Sequence, residues 1–393
     1  MRFWLIGLVV LVSLAGEGQI RAVQPSQVAA GRVSSAGVDA GDYVYVSAQG
    51  ARRADGSLAG EFAQQVRQAL DNVVYTQVYL EDMGKYEEMN RVFGEYFGKA
   101  VPARAVLGVA KLPEGAVEIN AVAVRSITDK RAIYPAEWKS EGAAPGMLTH
   151  DRLFVSGMVG SDPQSGKIPQ DPGAQVDLAL GRMQAVLKAA GLELGNMVFV
   201  NPYLTTDIPN RVMNEHYAKR FEFGNTPARA TIEVTSLPGG AHIEYTGVAV
   251  RDLKLRQAVR PKNMPPSPTA SPCVFAGETL YCSAKDGFIP GPHGGVYATT
   301  TQHQLRQTMR NLLDNLEETG MSFEQVVSTN VYLDDLKDMD VFDNVYGQYF
   351  GAVLPARTTV QQVAPTERQA DQNDHFPGLE QVSLIAVRSG VNH

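Results

Sequence analysis

The sequence predicts an α+β protein made of three tandem ββαβαββ units, and three observations carry that prediction. The first is a tripeptide, Pro-Ala-Arg, found at Pro102-Ala103-Arg104, Pro227-Ala228-Arg229 and Pro355-Ala356-Arg357, so that its arginines recur 125 and 128 residues apart. Ordinary residue usage would give roughly 0.1 such tripeptides in a chain of this length. The second is the strand-like run that follows each copy and closes on AVAVR at 121–125, GVAVR at 247–251 and LIAVR at 384–388. The third is the run that precedes each copy: VYLEDMGKY at 78–86, PYLTTDIPN at 202–210 and VYLDDLKDM at 331–339. One order of segments, repeated at domain-sized spacing, is a whole-domain triplication.

The bulk numbers agree. Of 393 residues, 44% are hydrophobic and 20% charged, the balance of a packed globular chain. A net charge of −7 and a pI near 5.6 argue against nucleic acid as a partner, because nonspecific affinity for phosphate backbones needs Lys and Arg to displace counterions. The seven histidines are scattered, with no paired spacing on a helix, so neither a metal site nor a cofactor is expected.

Residues 1–22 read as an export signal outside the fold. Arg2 is followed by a mostly apolar run from Phe3 to Ala15 and then by Gly16-Glu17-Gly18-Gln19, an order typical of secretory leaders and too short to span a bilayer comfortably. Ser13 and Ala15 place cleavage after Ala15, and no cysteine follows the run as a lipoprotein would require. The protein is therefore expected to be exported, periplasmic or secreted, with no membrane attachment after cleavage.

Unit one, 23–128, opens with an alternating strand at 42–47, continues with a helix at 61–72, and has a second helix from about Asp82 with Tyr86, Met89, Val92, Phe93, Tyr96 and Phe97 at helical spacing. Unit two, 129–256, has a strand at 153–156 and a helix at 174–190 stopped by Gly191. A strand at 197–200, a second helix at 209–223 and a hairpin from Ala230 to Val250 complete it. Each unit is expected as one antiparallel-rich sheet with two helices on one face. A proline-rich segment, 257–272, reads as a stiff linker to unit three, 273–393, with its strand at 280–283 and helices at 299–319 and 336–350.

Two lengths break the symmetry. The strand-ending serine lies 73 and 74 residues before the arginine in units two and three but 57 in unit one, which predicts a first helix cut short there. Unit three is long after its arginine. The added residues around Glu367 to His375 are expected as a polar hairpin tip, either solvated or closing over a neighbouring cleft.

Cys273 and Cys282 face each other if Gly277-Glu278 forms a two-residue turn, at a Cα separation of about 4.5 Å that suits a disulfide. A bridge and two buried thiols are the alternatives.

Strand-Ser-(Gly/Ala), helix, strand, helix, Pro-Ala-Arg and a terminal Glu-x-x-(Ala/Gly)-Val-Ala-Val together resemble the Rid family, the reactive-intermediate imine/enamine deaminases also described as L-PSP endoribonucleases. The stretch NTPARATIEVTSLPGGAHIEYTGVAV of unit two is the nearest, and the resemblance covers almost all of residues 30–390 three times over. It implies Rid-like (chorismate-mutase-like) domains and, since single-unit members are trimers with active sites in clefts between subunits, an intrachain pseudo-trimer that needs no further copy. In the deaminases the tripeptide arginine holds the substrate carboxylate, the serine lines the site and a glutamate moves protons. Carried over, these are Arg104, Arg229 and Arg357; Ser47, Ser156 and Ser283; and Glu118 and Glu244, with Gln381 at the third glutamate position. The family's Gly-Pro-Tyr has no tyrosine in the matching segments at 34–37, 143–146 and 270–273.

The chemistry suits these residue types. Arginine offers a rigid fork of donors to a carboxylate and stays charged. A shielded glutamate can take a proton from the water attacking an imine carbon and pass it to the leaving amine. Gln381 cannot do so, and Glu380 points to the other face of its strand. With a turn at Pro238-Gly239, Arg229 lies opposite Ala249, ~16 Å along the strand from Glu244, so each arginine is expected to meet the glutamate of an adjacent unit. The function expected is hydrolysis of small carboxylate-bearing imines or enamines to 2-oxo acids and ammonia. A non-catalytic small-carboxylate-binding module and an envelope scaffold or holdase are the alternatives; ribonuclease activity is disfavoured by the acidic charge.

Overall fold

The computed structural model describes residues 20–23, 33–49, 73–98, 101–136, 138, 142–163, 165–262, 264–291, 295–372 and 375–388. Residues 1–19 of the stretch read as an export signal, and the helix expected at 61–72 of unit one, lie outside them. Strand β1 (Arg21–Val23) already belongs to the first sheet.

Unit one contains β1, β2 (Gly37–Asp39), β3 (Tyr43–Gln49), β4 (Tyr75–Leu80), helix α1 (Tyr86–Phe97), β5 (Ala103–Gly108) and β6 (Val117–Val124), with strand order β1-β2-β3-β6-β4-β5. Unit two contains β7 (Arg131–Ile133), β8 (Gly146–Leu148), β9 (Arg152–Val159) and α2 (Pro172–Ala189). It continues with β10 (Met197–Leu204), α3 (Asn210–Ala218), β11 (Ala228–Arg229), β12 (Ile232–Glu233) and β13 (Ile243–Val250). Unit three contains β14 (Arg256–Val259), β15 (Cys273–Ala276), β16 (Thr279–Asp286), α4 (Thr301–Glu317), β17 (Val326–Leu333), α5 (Met339–Tyr346), β18 (Ala356–Gln361) and β19 (Glu380–Val387). Local signals set the helix ends. Asp171 caps α2 by accepting from the Ala174 N–H at 2.7 Å, Pro172 sits in its first turn, and Gly191, at φ 76°, ends it.

Three expectations are corrected. The arginine segment does not form a hairpin with the closing strand: β11 pairs in parallel with β10, while β13 lies between β10 and β9. Periodicity marks both segments as strands, but a strand's partner is a tertiary choice, and here the connection at 238–240 crosses over β10. For the same reason the long segment of unit three is a crossover and not a hairpin tip, since β17 lies between β18 and β19 in the order β16-β19-β17-β18. It is anchored to its own unit by Arg368 Nη1 to Asp338 Oδ2 at 2.8 Å. The stretch expected as linker starts with β14, the edge strand of the third sheet, so unit three begins before its prolines.

Alternation along the central strands builds two kinds of core. In β4, Val78 and Leu80 face the helix side with Met89 and Phe93, whereas Tyr79 faces away. The helix-free faces of all three sheets meet in one shared core containing Tyr45, Tyr79, Phe154, Tyr203, Tyr281 and Tyr332. Inside it, Gln77 Nε2 donates to Tyr203 Oη at 2.6 Å and Asn120 Nδ2 donates to Thr358 Oγ1 at 2.9 Å, so side chains of all three units share one buried network. Strand β5 packs on β9, β11 on β16 and β18 on β3, closing a ring of three units within one chain.

Cys273 and Cys282 are cross-strand partners flanking the turn at Gly277-Glu278, with Cα atoms 4.1 Å apart and sulfurs bonded. A loop this short confers about 2 kcal/mol by restricting the unfolded chain. Urea unfolding with and without dithiothreitol is expected to differ by about that amount.

Candidate active site

The candidate residues gather where the units meet, beginning with backbone bonds. The Arg104 N–H donates to Ser156 Oγ, the Arg229 N–H to Ser283 Oγ and the Arg357 N–H to Ser47 Oγ, each at 2.8 Å. The hydroxyls in turn donate to loop carbonyls: Ser156 to Ala144 O at 2.5 Å, Ser283 to Ser271 O at 2.6 Å, and Ser47 to Ser35 O. Each serine thus ties the arginine strand of one unit to the opening loop of the next.

Each guanidinium is held by the second helix of its own unit. Arg104 stacks over Phe93 at 4.8 Å, Arg229 over Tyr217 at 5.2 Å and Arg357 over Tyr346 at 5.0 Å. Their polar partners differ in charge. Arg104 bonds Asn90 Oδ1 at 2.5 Å and Arg229 bonds Asn214 Oδ1 at 2.7 Å, whereas Arg357 forms an ion pair with Asp343 at 2.6 Å. Two arginines keep an uncompensated charge for a ligand, and the third is already neutralised.

The register makes the acid positions equivalent: Glu118 pairs opposite Tyr79, Glu244 opposite Tyr203 and Gln381 opposite Tyr332. Burial pushes the Glu244 carboxyl up to about 8, and the leading charge acting back on it is Arg104, from unit one. Burial likewise raises Glu118 to about 8, with Arg357 of unit three pulling it down. Gln381 lies in the cleft with Arg229. The three clefts therefore combine Arg104 with Glu244, Arg357 with Glu118 and Arg229 with Gln381. The offset within a unit is smaller than the hairpin expectation, because Arg229 and Gly247 both pair with Val200, three residues from Glu244. Strand β10 stands between them.

Gly157 explains part of the Ser-(Gly/Ala) pattern. A Cβ there would lie 2.0 Å from Glu244 Oε1, so the glycine after Ser156 makes room for the carboxyl. Glu244 Oε1 is buried without a hydrogen-bond partner among the described residues.

The endoribonuclease L-PSP family model matches residues 24–125, 142–251 and 263–369, once in each unit. The chain belongs to the Rid family. Its Rid relatives include the 2-iminobutanoate/2-iminopropanoate deaminase of Rattus norvegicus, 36% identical over 106 residues, which cover 27% of this chain and 77% of that protein. The putative reactive intermediate deaminase TdcF of Escherichia coli strain K12 is 32% identical over 101 residues, 25% of this chain and 78% of that one. A solved chorismatase, 12% identical, superposes with a TM-score of 0.52 over 80% of this chain and 93% of its own, a likeness of fold that extends beyond any single Rid unit.

Reasoning from the sequence missed the partners of the Rid arginines. Asn90, Asn214 and Asp343 stand 14, 15 and 14 residues before Arg104, Arg229 and Arg357, so aligning the repeats would have found them. Missed too were Met264 and Pro265 of the proline-rich segment, which line the cleft between units two and three. No periodicity or motif marks them. Glu380, in contrast, lies beneath α4, where Thr308 Oγ1 donates to it at 2.5 Å.

Proposed function

We propose that this protein hydrolyses small imines bearing a carboxylate, of the 2-iminobutanoate and 2-iminopropanoate class, to 2-oxo acids and ammonia. The observation that carries the reading is Glu244, a buried carboxyl that desolvation pushes up to about 8 and whose leading charged neighbour is Arg104, across a unit boundary. Arg104 binds the substrate carboxylate and so orients the imine carbon. Glu244 protonates the imine nitrogen and becomes a carboxylate. Water adds to the carbon while Glu244 takes a water proton, giving the carbinolamine. Glu244 then protonates the amine, the C–N bond breaks with release of ammonia, and the hydroxyl proton returns to Glu244 as the carbonyl forms. The balance is imine plus water to 2-oxo acid plus ammonia. Glu118 with Arg357 forms a second cleft of this kind, weakened by the Asp343 ion pair.

Export belongs to the proposal. The charged and apolar order from Arg2 to Ala15 and a cysteine pair suited to an oxidising compartment support it. Cell fractionation with N-terminal sequencing checks it, the expected result being a mature chain beginning after Ala15.

Ammonia release from freshly generated 2-aminoacrylate and 2-iminobutyrate tests the activity. The native chain is expected to exceed the spontaneous rate, and Arg104→Ala to lower kcat/KM by about tenfold or more. No acceleration with either substrate overturns the reading.

A further inference from the structure

Unit three carries a polar pair where its neighbours are apolar. Glu118 and Glu244 are preceded by the buried Val117 and Ile243, but Gln381 is preceded by Glu380, itself only 4% exposed. The helix above repeats the change. Gln175 of α2 and Gln304 of α4 correspond, each donating its Nε2 to the carbonyl six residues earlier, Pro169 and Ala298. Four residues further on, α2 has the buried Ala179 and α4 the buried Thr308.

Thr308 Oγ1 lies 2.5 Å from Glu380 Oε1 and 3.1 Å from Gln304 O. A hydroxyl has one proton to donate. With Glu380 protonated, the carboxyl can donate to Thr308 Oγ1 and leave the threonine proton to Gln304 O; with Glu380 ionised, both oxygens compete for that proton. Around the carboxyl, α4 presents the neutral Thr308 and β17 pairs Leu333 with it. From β16, Asp286 is the charge that acts on it, Tyr297 Oη donates to Asp286 Oδ2 at 2.6 Å, and Lys285 pairs with Val382, two residues along β19. Burial pushes the Glu380 carboxyl up to about 8, the Thr308 bond opposing the rise and the Asp286 charge adding to it.

The same turn of α4 fastens two other stretches of unit three. Gln304, fully buried, donates to Ala298 O at 2.7 Å and to Pro377 O at 2.9 Å, and accepts from the Leu379 N–H at 2.7 Å. Tyr297 packs on Gly378, where an added Cβ would lie 3.5 Å from its ring.

We propose that Glu380 is a proton-operated latch: protonated, it keeps α4 closed on residues 295–298 and 377–379, and on ionising it releases both stretches. Ionised, it would hold a carboxylate whose Oε2 is buried without a partner among the described residues, beside the charge of Asp286, and release lets water reach it. The released segment leads directly into Gln381, on the wall of the cleft between units two and three. A solvated glutamate titrates near 4.3, so the closed form binds the proton more tightly than the open one. Closure is therefore firmest below about pH 4, weakens as pH rises and levels off above about pH 8.

Hydrogen exchange at the Leu379 amide tests it, read as a protection factor corrected for the intrinsic rate at each pH. From pH 5.5 to pH 8 that factor is expected to fall about tenfold or more in the native chain. The Gly160 amide, bonded to the carbonyl of Ile243, the counterpart of Glu380 in unit two, is expected to stay level. Glu380→Gln and, separately, Glu380→Ile/Thr308→Ala, which installs the unit-two pair, are expected to hold the Leu379 factor constant over the same interval. No fall in the native chain, an equal fall at Gly160, or a fall that persists in either variant that folds overturns the proposal.

Discussion

Glu244→Gln is expected to remove most of the imine-hydrolysing activity, while Glu118→Gln lowers it less than about twofold. A general acid–base group contributes typically about 10² to 10⁴ in rate. The asymmetry comes from the arginines. Arg104 leans on a neutral amide, Asn90, and keeps its full charge for a substrate carboxylate. Arg357 shares its charge with Asp343 at 2.6 Å, so a substrate in that cleft must compete with a built-in carboxylate. The observed fall for Glu244→Gln is then limited by the weaker cleft, and a loss of roughly tenfold to a hundredfold in kcat is the expected result. Steady-state kinetics on both variants checks it. Equal losses would place equal chemistry in both clefts and contradict the role assigned to Asp343.

The second large effect is on stability against pH. Burial pushes Glu118, Glu244 and Glu380 each up to about 8. An unfolded glutamate titrates near 4.3. The folded value lies above the unfolded one, so the folded state holds the extra protons. Stability is full below about pH 4 on this account, declines as pH rises, and reaches its floor above about pH 8. Each tenfold difference in proton affinity between folded and unfolded chain corresponds to about 1.4 kcal/mol, and the three carboxyls act in the same direction. Urea midpoints are expected to drop between pH 5.5 and pH 9. Glu380→Gln is expected to flatten that drop without altering activity, because Glu380 sits beneath α4 on the face away from the clefts. A midpoint that rises over the same interval contradicts the direction.

How much of this was legible beforehand follows from particular residues. Repetition aligned Arg104 with Arg229 and Arg357, and Glu118 with Glu244 and Gln381, since equivalent places in three copies of one fold carry equivalent words. Gln381 stood out as the odd member in the sequence alone. The two-residue turn at Gly277-Glu278 placed Cys273 opposite Cys282, a pairing set by nearest neighbours alone. The order of strands was not legible in this way. Arg229 and Ile243 lie on strands that a pattern of alternation cannot distinguish from a hairpin, yet β11 joins β10 in parallel because β13 takes the place between β10 and β9.

The sequence by itself therefore determined the number of units, the residues that stand at equivalent positions and the loss of an acid from one of them. Only the tertiary structure decided the direction of the ring, which brings Arg104 to Glu244, Arg229 to Gln381 and Arg357 to Glu118, and the partners Asn90, Asn214 and Asp343 that grade the arginines by charge. The physical reason is range. Periodicity and turn chemistry act over a few residues. The sense of the ring comes from helix-free faces packing over separations of a whole unit, as when Ser47 receives the amide of Arg357.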